Sequence, residues 1–196
     1  MGAVPVDEPC RRIERLDPDA GTPAARVIPE LAGLLRACLD EGASIGFLHP
    51  FRQAEAEAFW RAQLTGRSTW LAWSGEALDG CVQLEPSHYP NGRHRAEVVK
   101  LLVAPRARRR GVARTLMGEL EAFALGRGIT LLMLDTETDS PAEQLYRALG
   151  WQPFGVVEAH SARPDGVLAA STFYSRHLGR QHRPGPRTDP PATWPG

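Results

Sequence analysis

Arg108-Arg109-Arg110-Gly111-Val112-Ala113 sits where an apolar run, Val98 to Val103, hands over to a helical pattern that begins at Val112. Amides at a helix start lack intrahelical acceptors and carry the positive end of the helix dipole, so a pyrophosphate can accept several hydrogen bonds there. Gly111 tolerates an unusual loop backbone and Ala113 adds almost no bulk. Arg106, Arg108, Arg109, Arg110 and Arg114 gather positive charge around them. The stretch reads as a phosphate cradle between a strand and a helix.

Working outward, Leu101-Leu102-Val103-Ala104-Pro105 closes the strand and a helix runs from Val112 to Leu125. A second apolar strand covers Ile129 to Leu134. A short helix over 141–149 has Ser140 as cap, Pro141 in its first turn, Glu143 completing a capping box and Gly150 as its stop. Strands follow near 151–159 and 168–175. Upstream, Arg11 to Leu16 is a short charged strand. Val27, Leu31, Leu34, Leu35 and Cys38 fall at helical spacing over 27–41, ended by Gly42. Gln53 to Leu64 repeats the pattern, with Ala54, Ala58, Phe59 and Ala62 expected to face inward. Ser68–Trp73 and Ala77–Leu84 alternate as strands about the turn Ser74-Gly75-Glu76. This order predicts an α/β (α+β) fold, a mixed sheet flanked by helices, in one domain over residues 11–178. Residues 1–10 are expected to be a flexible lead-in. The stretch 179–196, with five prolines, is expected to be a disordered tail.

Composition narrows the function. A chain of 196 residues with 42% hydrophobic content suits a single core, and 23 basic against 23 acidic residues give no global pull toward nucleic acid or an anionic membrane. Lys100 is the only lysine. Cys10, Cys38 and Cys81 are odd in number and widely spaced, which argues against a disulfide framework and a cysteine metal site. His49, His88, His94 and His160 lack metal-ligand spacing; they read first as surface or loop residues, with one or two of them allowed for in the lining of the acceptor pocket. The N-terminus has no signal-peptide pattern and no window reaches 18 apolar residues, so a cytoplasmic location is expected.

Arg-x-x-Gly-x-Ala in this strand–helix setting resembles the acyl-CoA-binding signature of the GCN5-related N-acetyltransferases (GNAT). The likeness covers roughly residues 11–178. Within that superfamily Arg95-Ala-Glu-Val-Val-Lys-Leu-Leu-Val103, Leu134-Asp-Thr-Glu-Thr138, Ala142-Glu-Gln-Leu-Tyr146 and Pro164-Asp-Gly-Val-Leu-Ala-Ala-Ser-Thr-Phe-Tyr174 resemble the tabtoxin-resistance group. The resemblance implies a mostly antiparallel central sheet and acetyl-CoA as cosubstrate, with no metal. It implies that Arg108, Arg109, Arg110, Gly111, Val112, Ala113 and Arg114 hold the CoA phosphates, while the backbone of Leu102 and Val103 takes the pantetheine arm and polarises the acetyl carbonyl. The acceptor it implies is a small-molecule amine, without nucleic acid or membrane; a homodimer is allowed for.

Acetyl transfer needs a neutral amine, a stabilised oxyanion and a proton for the departing thiolate. A lysine-type amine has a pKa of about 10.4, so a nearby carboxylate can help remove its proton. Glu97, 11 residues before Arg108, and Asp135 are the two candidates, and the sequence does not choose between them. Each also has a plain reading, as a solvated strand residue paired to Arg95 or Lys100, or as a strand-end cap. Tyr146 is the candidate acid, because a phenol of pKa about 10 stays protonated at neutral pH and can donate to a leaving sulfur; its plain reading is a core tyrosine. Gly42-Ala-Ser44-Ile-Gly46, followed by Asp135 and His160, spells a hydrolase elbow, but a helix precedes it where the elbow needs a strand. A protein N-acetyltransferase and a non-catalytic acyl-CoA sensor would share the cradle and differ at the acceptor end.

Overall fold

A computed structural model of the chain describes residues 11–16 and 24–179. The lead-in over 1–10 and the tail from 180 lie outside the described residues. The elements run β1 (Arg11–Leu16), α1 (Ala24–Asp40), α2 (Gln53–Gln63), β2 (Ser68–Ser74), β3 (Ala77–Pro86), β4 (Arg95–Val103), α3 (Val112–Gly126), β5 (Leu131–Glu137), α4 (Pro141–Ala148), β6 (Gln152–Ala162) and β7 (Leu168–His177). The seven strands form one sheet in the order β1-β2-β3-β4-β5-β7-β6. Every neighbouring pair is antiparallel except β4–β5. The architecture is therefore the mixed sheet with flanking helices that the element order predicts, and it is mostly antiparallel, as the family resemblance implies.

Sheet parity decides which residues face which helices. A Cβ on Gly80 would meet Val112 and Leu116 of α3, and it would stand 2.7 Å from the Leu102 carbonyl. No other residue fits where β3, β4 and α3 come this close. Gly80, Val82 and Leu84 thus face α3, where Trp70 also stacks edge-on against Phe123. Cys81 and Gln83 face α1 and α2, and Gln83 Nε2 donates to the Gln63 carbonyl. Leu31, Leu35 and Leu71 fill one layer; Leu84, Leu116, Leu120 and Leu132 belong to the layer under α3, all essentially inaccessible.

Several element limits and one helix face differ from the sequence reading: α1 starts at Ala24, β6 runs on to Ala162, and β5 moves at both ends. Ile129 lies just past the end of α3, capping it, and not in β5. Its N–H reaches back to the Ala124 carbonyl at 3.0 Å, with Gly128 at φ +78°, a left-handed helix stop that spends Ile129 as its apolar plug. Strand β5 consequently starts at Leu131 and continues past Asp135 to Glu137. On α2 the buried residues are Ala56 and Trp60, with Phe59 half-buried, whereas Ala54, Ala58 and Ala62 are exposed. Trp60 brings far more apolar area than an alanine, so it sets the rotation of the helix.

Candidate functional site

Strands β4 and β5 pair only through Arg95–Leu131, Ala96–Leu132 and Glu97–Met133. Beyond Glu97, β4 stays with β3 and β5 stays with β7, so the sheet parts into a cleft. A bulge helps to turn β4 away. Val99 pairs with Gln83 and Leu102 with Cys81, leaving Lys100 and Leu101 together opposite Val82, and Lys100 takes φ +53°. Ala104 N–H donates to the Asp79 carbonyl at 2.8 Å. Antiparallel neighbours alternate in direction, so Val103 turns its N–H and C=O away from β3 toward the cleft, while those of Leu102 face β3. Of the two residues expected to hold a pantetheine arm through their backbone, Val103 alone presents polar groups on the open side. Its carbonyl also accepts the Cys38 thiol at 3.5 Å. Burial pushes that thiol's pKa up, and Arg108 beside it pulls the other way.

The cradle lies at the end of the same strand. A 3-10 turn over Pro105–Ala107 buries Ala107, after which Arg109 (φ +65°) and Gly111 (φ +78°) both adopt left-handed backbone before α3 begins at Val112. Left-handed residues alternating with ordinary ones turn successive amides to one side and form an anion-binding concavity. The amides of Val112, Ala113 and Arg114 lie in the first turn of α3 and have no intrahelical acceptor. A Cβ on Gly111 would meet nothing within 4 Å, so the space in front of the turn is open. Val112 is buried, whereas Arg108, Arg109, Arg110 and Arg114 are exposed. Arg108 lies 3.8 Å from Glu41. Arg106 is not part of this group, because it reaches back to Asp79 Oδ1 (3.0 Å) and the Leu78 carbonyl (2.9 Å).

On the sheet face away from α3, register brings Glu97, Met133, Asp135 and Phe173 together across β4, β5 and β7. Glu97 is exposed and has no hydrogen-bond or ion-pair partner among the described residues, so the pairing to Arg95 or Lys100 is not formed. Asp135 Oδ2 lies 3.9 Å from His160 Nδ1 of β6. Two segments border this face. The α1–α2 loop carries Ile45, Phe47 and Phe51, and His49 N–H donates to the Pro164 carbonyl of the β6–β7 turn at 2.9 Å. That turn is tied to β5 by Arg163 and Glu137 (2.7 Å). The loop is also fixed to the bulge. Lys100 Nζ donates to the Ile45 carbonyl at 3.0 Å and lies over the rings of Phe47 (5.5 Å) and Phe59 (5.4 Å). Burial lowers the pKa of this ammonium, as does Arg67, against the opposing pull of Asp135. A lone lysine inside an apolar run is the one sequence signal for the acceptor it meets.

Tyr146, on α4, packs its ring against Trp151 (5.9 Å) and Tyr174 (6.1 Å). Burial, with a smaller contribution from Asp135, pushes its phenol's pKa up, so it stays protonated. Its hydroxyl has no hydrogen-bond partner among the described residues. The residue is both a core tyrosine and a protonated donor near Asp135. Helix α4 is held by its cap. Ser140 Oγ accepts from Glu143 N–H at 3.2 Å, and the Glu143 carboxylate accepts from Asp139 N–H, one residue earlier than the predicted capping box, at 2.6 Å. Ser44 of the elbow-like stretch lies in the loop after α1, not at the end of a strand.

Comparison with known proteins agrees with this fold. The sequence profile of the Acetyltransferase (GNAT) family matches residues 28–151. N-acetyltransferase 8B of Rattus norvegicus is 34% identical over 92 residues, 46% of this chain and 41% of that one; the chain thus aligns with about two fifths of the length of that relative. Among solved structures, an N-acetyltransferase from Staphylococcus aureus Mu50 superposes with a TM-score of 0.70 at 15% identity, over 86% of this chain and 98% of that one. The yncA protein of Salmonella typhimurium, solved with its cofactor acetyl-CoA, superposes with a TM-score of 0.69 at 17% identity, over 90% and 98%.

Proposed function

Since the chain belongs to the GNAT acetyltransferase family, we propose that it transfers the acetyl group of acetyl-CoA to the amine of a small molecule, by direct attack in a ternary complex. The parting of β4 from β5 beside an arginine-lined turn carries this reading. The residues present fit an acyl-CoA. Val103 offers a peptide N–H to a pantetheine amide, the turn 109–114 offers amides and guanidinium groups to a pyrophosphate, and the open space before Gly111 admits it. Bound there, acetyl-CoA supplies an activated thioester. Tyr146 would then give a proton to the departing sulfur, and Glu97 and Asp135 would draw a cationic amine onto the open sheet face.

A small acceptor is favoured by the closed border of that face. The α1–α2 loop and the β6–β7 turn meet at His49 and Pro164, where a groove for a protein tail would need them apart. The likeness of Arg95–Val103 and Pro164–Tyr174 to the tabtoxin-resistance group points the same way, toward an amino-acid-like metabolite or toxin. Purified protein with acetyl-CoA, screened for thiol release against amino acids, polyamines, aminoglycosides and short peptides, tests the reading. Release with a small amine supports it. Release with peptides alone would assign the acceptor end to protein tails, and acetyl-CoA binding without release to any amine would leave a sensor.

A further inference from the structure

Beyond the two carboxylates, the open face holds a histidine whose surroundings are those of a catalytic base. His160 lies on the edge strand β6, next to Ala159, which takes φ +51° in an irregular stretch where pairing with β7 breaks between Val157 and Ser161. The irregularity folds the imidazole over the sheet, edge-on to Phe173 with ring centres 5.1 Å apart. All its polar contacts fall on one nitrogen. Nδ1 is 3.0 Å from the Oγ of Ser171, 2.9 Å from the Oγ of Ser161 and 3.9 Å from Asp135 Oδ2. Nε2 has no partner among the described residues. Ser171 is itself buried at 2% exposure, so its hydroxyl is a fixed partner and not a solvated one. A carboxylate on the Nδ1 side favours the proton there, which leaves the lone pair on Nε2.

We propose that His160 Nε2, and not a carboxylate, receives the proton of the attacking amine, with Asp135 and Ser171 fixing its tautomer. This rests on the acetyltransferase reading. Carboxylates ionise near 4 and imidazole near 6.5, so imidazole is the better match to an amine losing its proton near neutral pH. The bound ammonium first gives one proton to solvent; as the neutral amine nitrogen then bonds to the thioester carbonyl carbon and the C–S bond breaks, its excess proton passes to Nε2. Tyr146 protonates the thiolate. Solvent then takes the proton from the imidazolium and restores the phenol. Asp135 offsets the imidazolium charge while it lasts. Of the other charged groups around this face, Glu137 and Arg163 are paired with each other, Glu97 lies in register beside Met133, and the Lys100 ammonium, close enough for Asp135 to act on it, donates to the Ile45 carbonyl.

Two measurements test the assignment. Long-range 1H–15N spectra of the full chain with acetyl-CoA bound, the His160 signals assigned by their loss in His160→Gln, read the tautomer without any amine. The Nδ1–H form is expected, with a shift toward Nε2–H in Asp135→Asn; a wild-type ring in the Nε2–H form would overturn the proposal. With an amine identified by the thiol-release screen, His160→Ala should lose about 10²–10⁴-fold in turnover, keep its acetyl-CoA affinity by calorimetry, and regain activity with added imidazole. Unchanged turnover, or a loss that imidazole does not restore, would also overturn it. If wild type acetylates nothing in the screen, the proposed function fails by itself, and the tautomer still decides whether His160 is set as described.

Discussion

Tyr174 O–H donates to Glu143 Oε1 at 2.7 Å inside the protein, tying the middle of β7 to α4 one turn before Tyr146. Glu143 also accepts from Arg147 (2.9 Å) and from the Asp139 amide, so a single buried carboxylate fixes where α4 meets the cleft. The Tyr174 hydrogen bond, more than burial opposes it, holds the Glu143 pKa down at about 2 from an ordinary 4.5. Its stabilisation is therefore complete above the ordinary carboxylate range and fades as pH falls toward 2. Glu143→Gln should lower stability by about 1.5–3 kcal/mol at neutral pH, as loss of a charge-assisted bond does. Denaturant unfolding should show the gap between variant and wild type narrowing in acid.

This hub also shows what the sequence makes legible. Ser140, Pro141 and Gly150 mark α4 because capping is a matter of a few adjacent residues, and the strand–helix handover at Arg108–Ala113 is visible for the same reason. Tyr174 lies 31 residues from Glu143, and no local pattern announces that they meet. The bulge at Lys100 is hidden as well, since a lysine at φ +53° has none of the freedom that marks a glycine bulge. His160 reads as a surface residue until the break in β6 pairing, at an alanine, folds it over Asp135. The choice of Val103 over Leu102 follows from strand register, which no count of apolar residues supplies.

Tyr146→Phe removes a hydroxyl that makes no hydrogen bond to the described residues. Melting temperature and acetyl-CoA affinity should stay close to wild type while turnover falls, because the proton is needed only as the C–S bond breaks. A fall in melting temperature in proportion to activity would show that Tyr146 serves only as core packing.

Glu97 and Asp135 should separate under amide substitution, which keeps side-chain size. Asp135→Asn leaves His160 without its neighbouring charge and should lower turnover about 10²-fold or more. Glu97→Gln should raise KM for a cationic amine with a smaller change in kcat, since Glu97 stands alone on the open face. Steady-state kinetics on both variants decides; the reverse ranking would return the base to Glu97.

Lys100→Met keeps an apolar stem against Phe47 and Phe59 but loses the donor to the Ile45 carbonyl. A stability loss of about 1 kcal/mol is expected for one hydrogen bond. The larger effect should fall on the α1–α2 loop, seen as faster proteolysis within residues 43–51 and a raised KM for the amine, with acetyl-CoA affinity preserved. If acetyl-CoA binding fell instead, Lys100 would belong to the cofactor end of the cleft.

Ala113→Glu is the cleanest test of the cradle. A glutamate in the first turn of α3 complements the helix dipole and should stabilise the fold by about 0.3–1 kcal/mol, while it places negative charge and bulk where a pyrophosphate would meet the amides. Gly111→Glu is less informative alone, because φ +78° strains any side chain and folding could fail together with binding. Calorimetry with CoA should therefore show affinity falling at least tenfold for Ala113→Glu as its melting temperature holds or rises. Wild-type affinity in that variant would mean that the phosphates are held elsewhere.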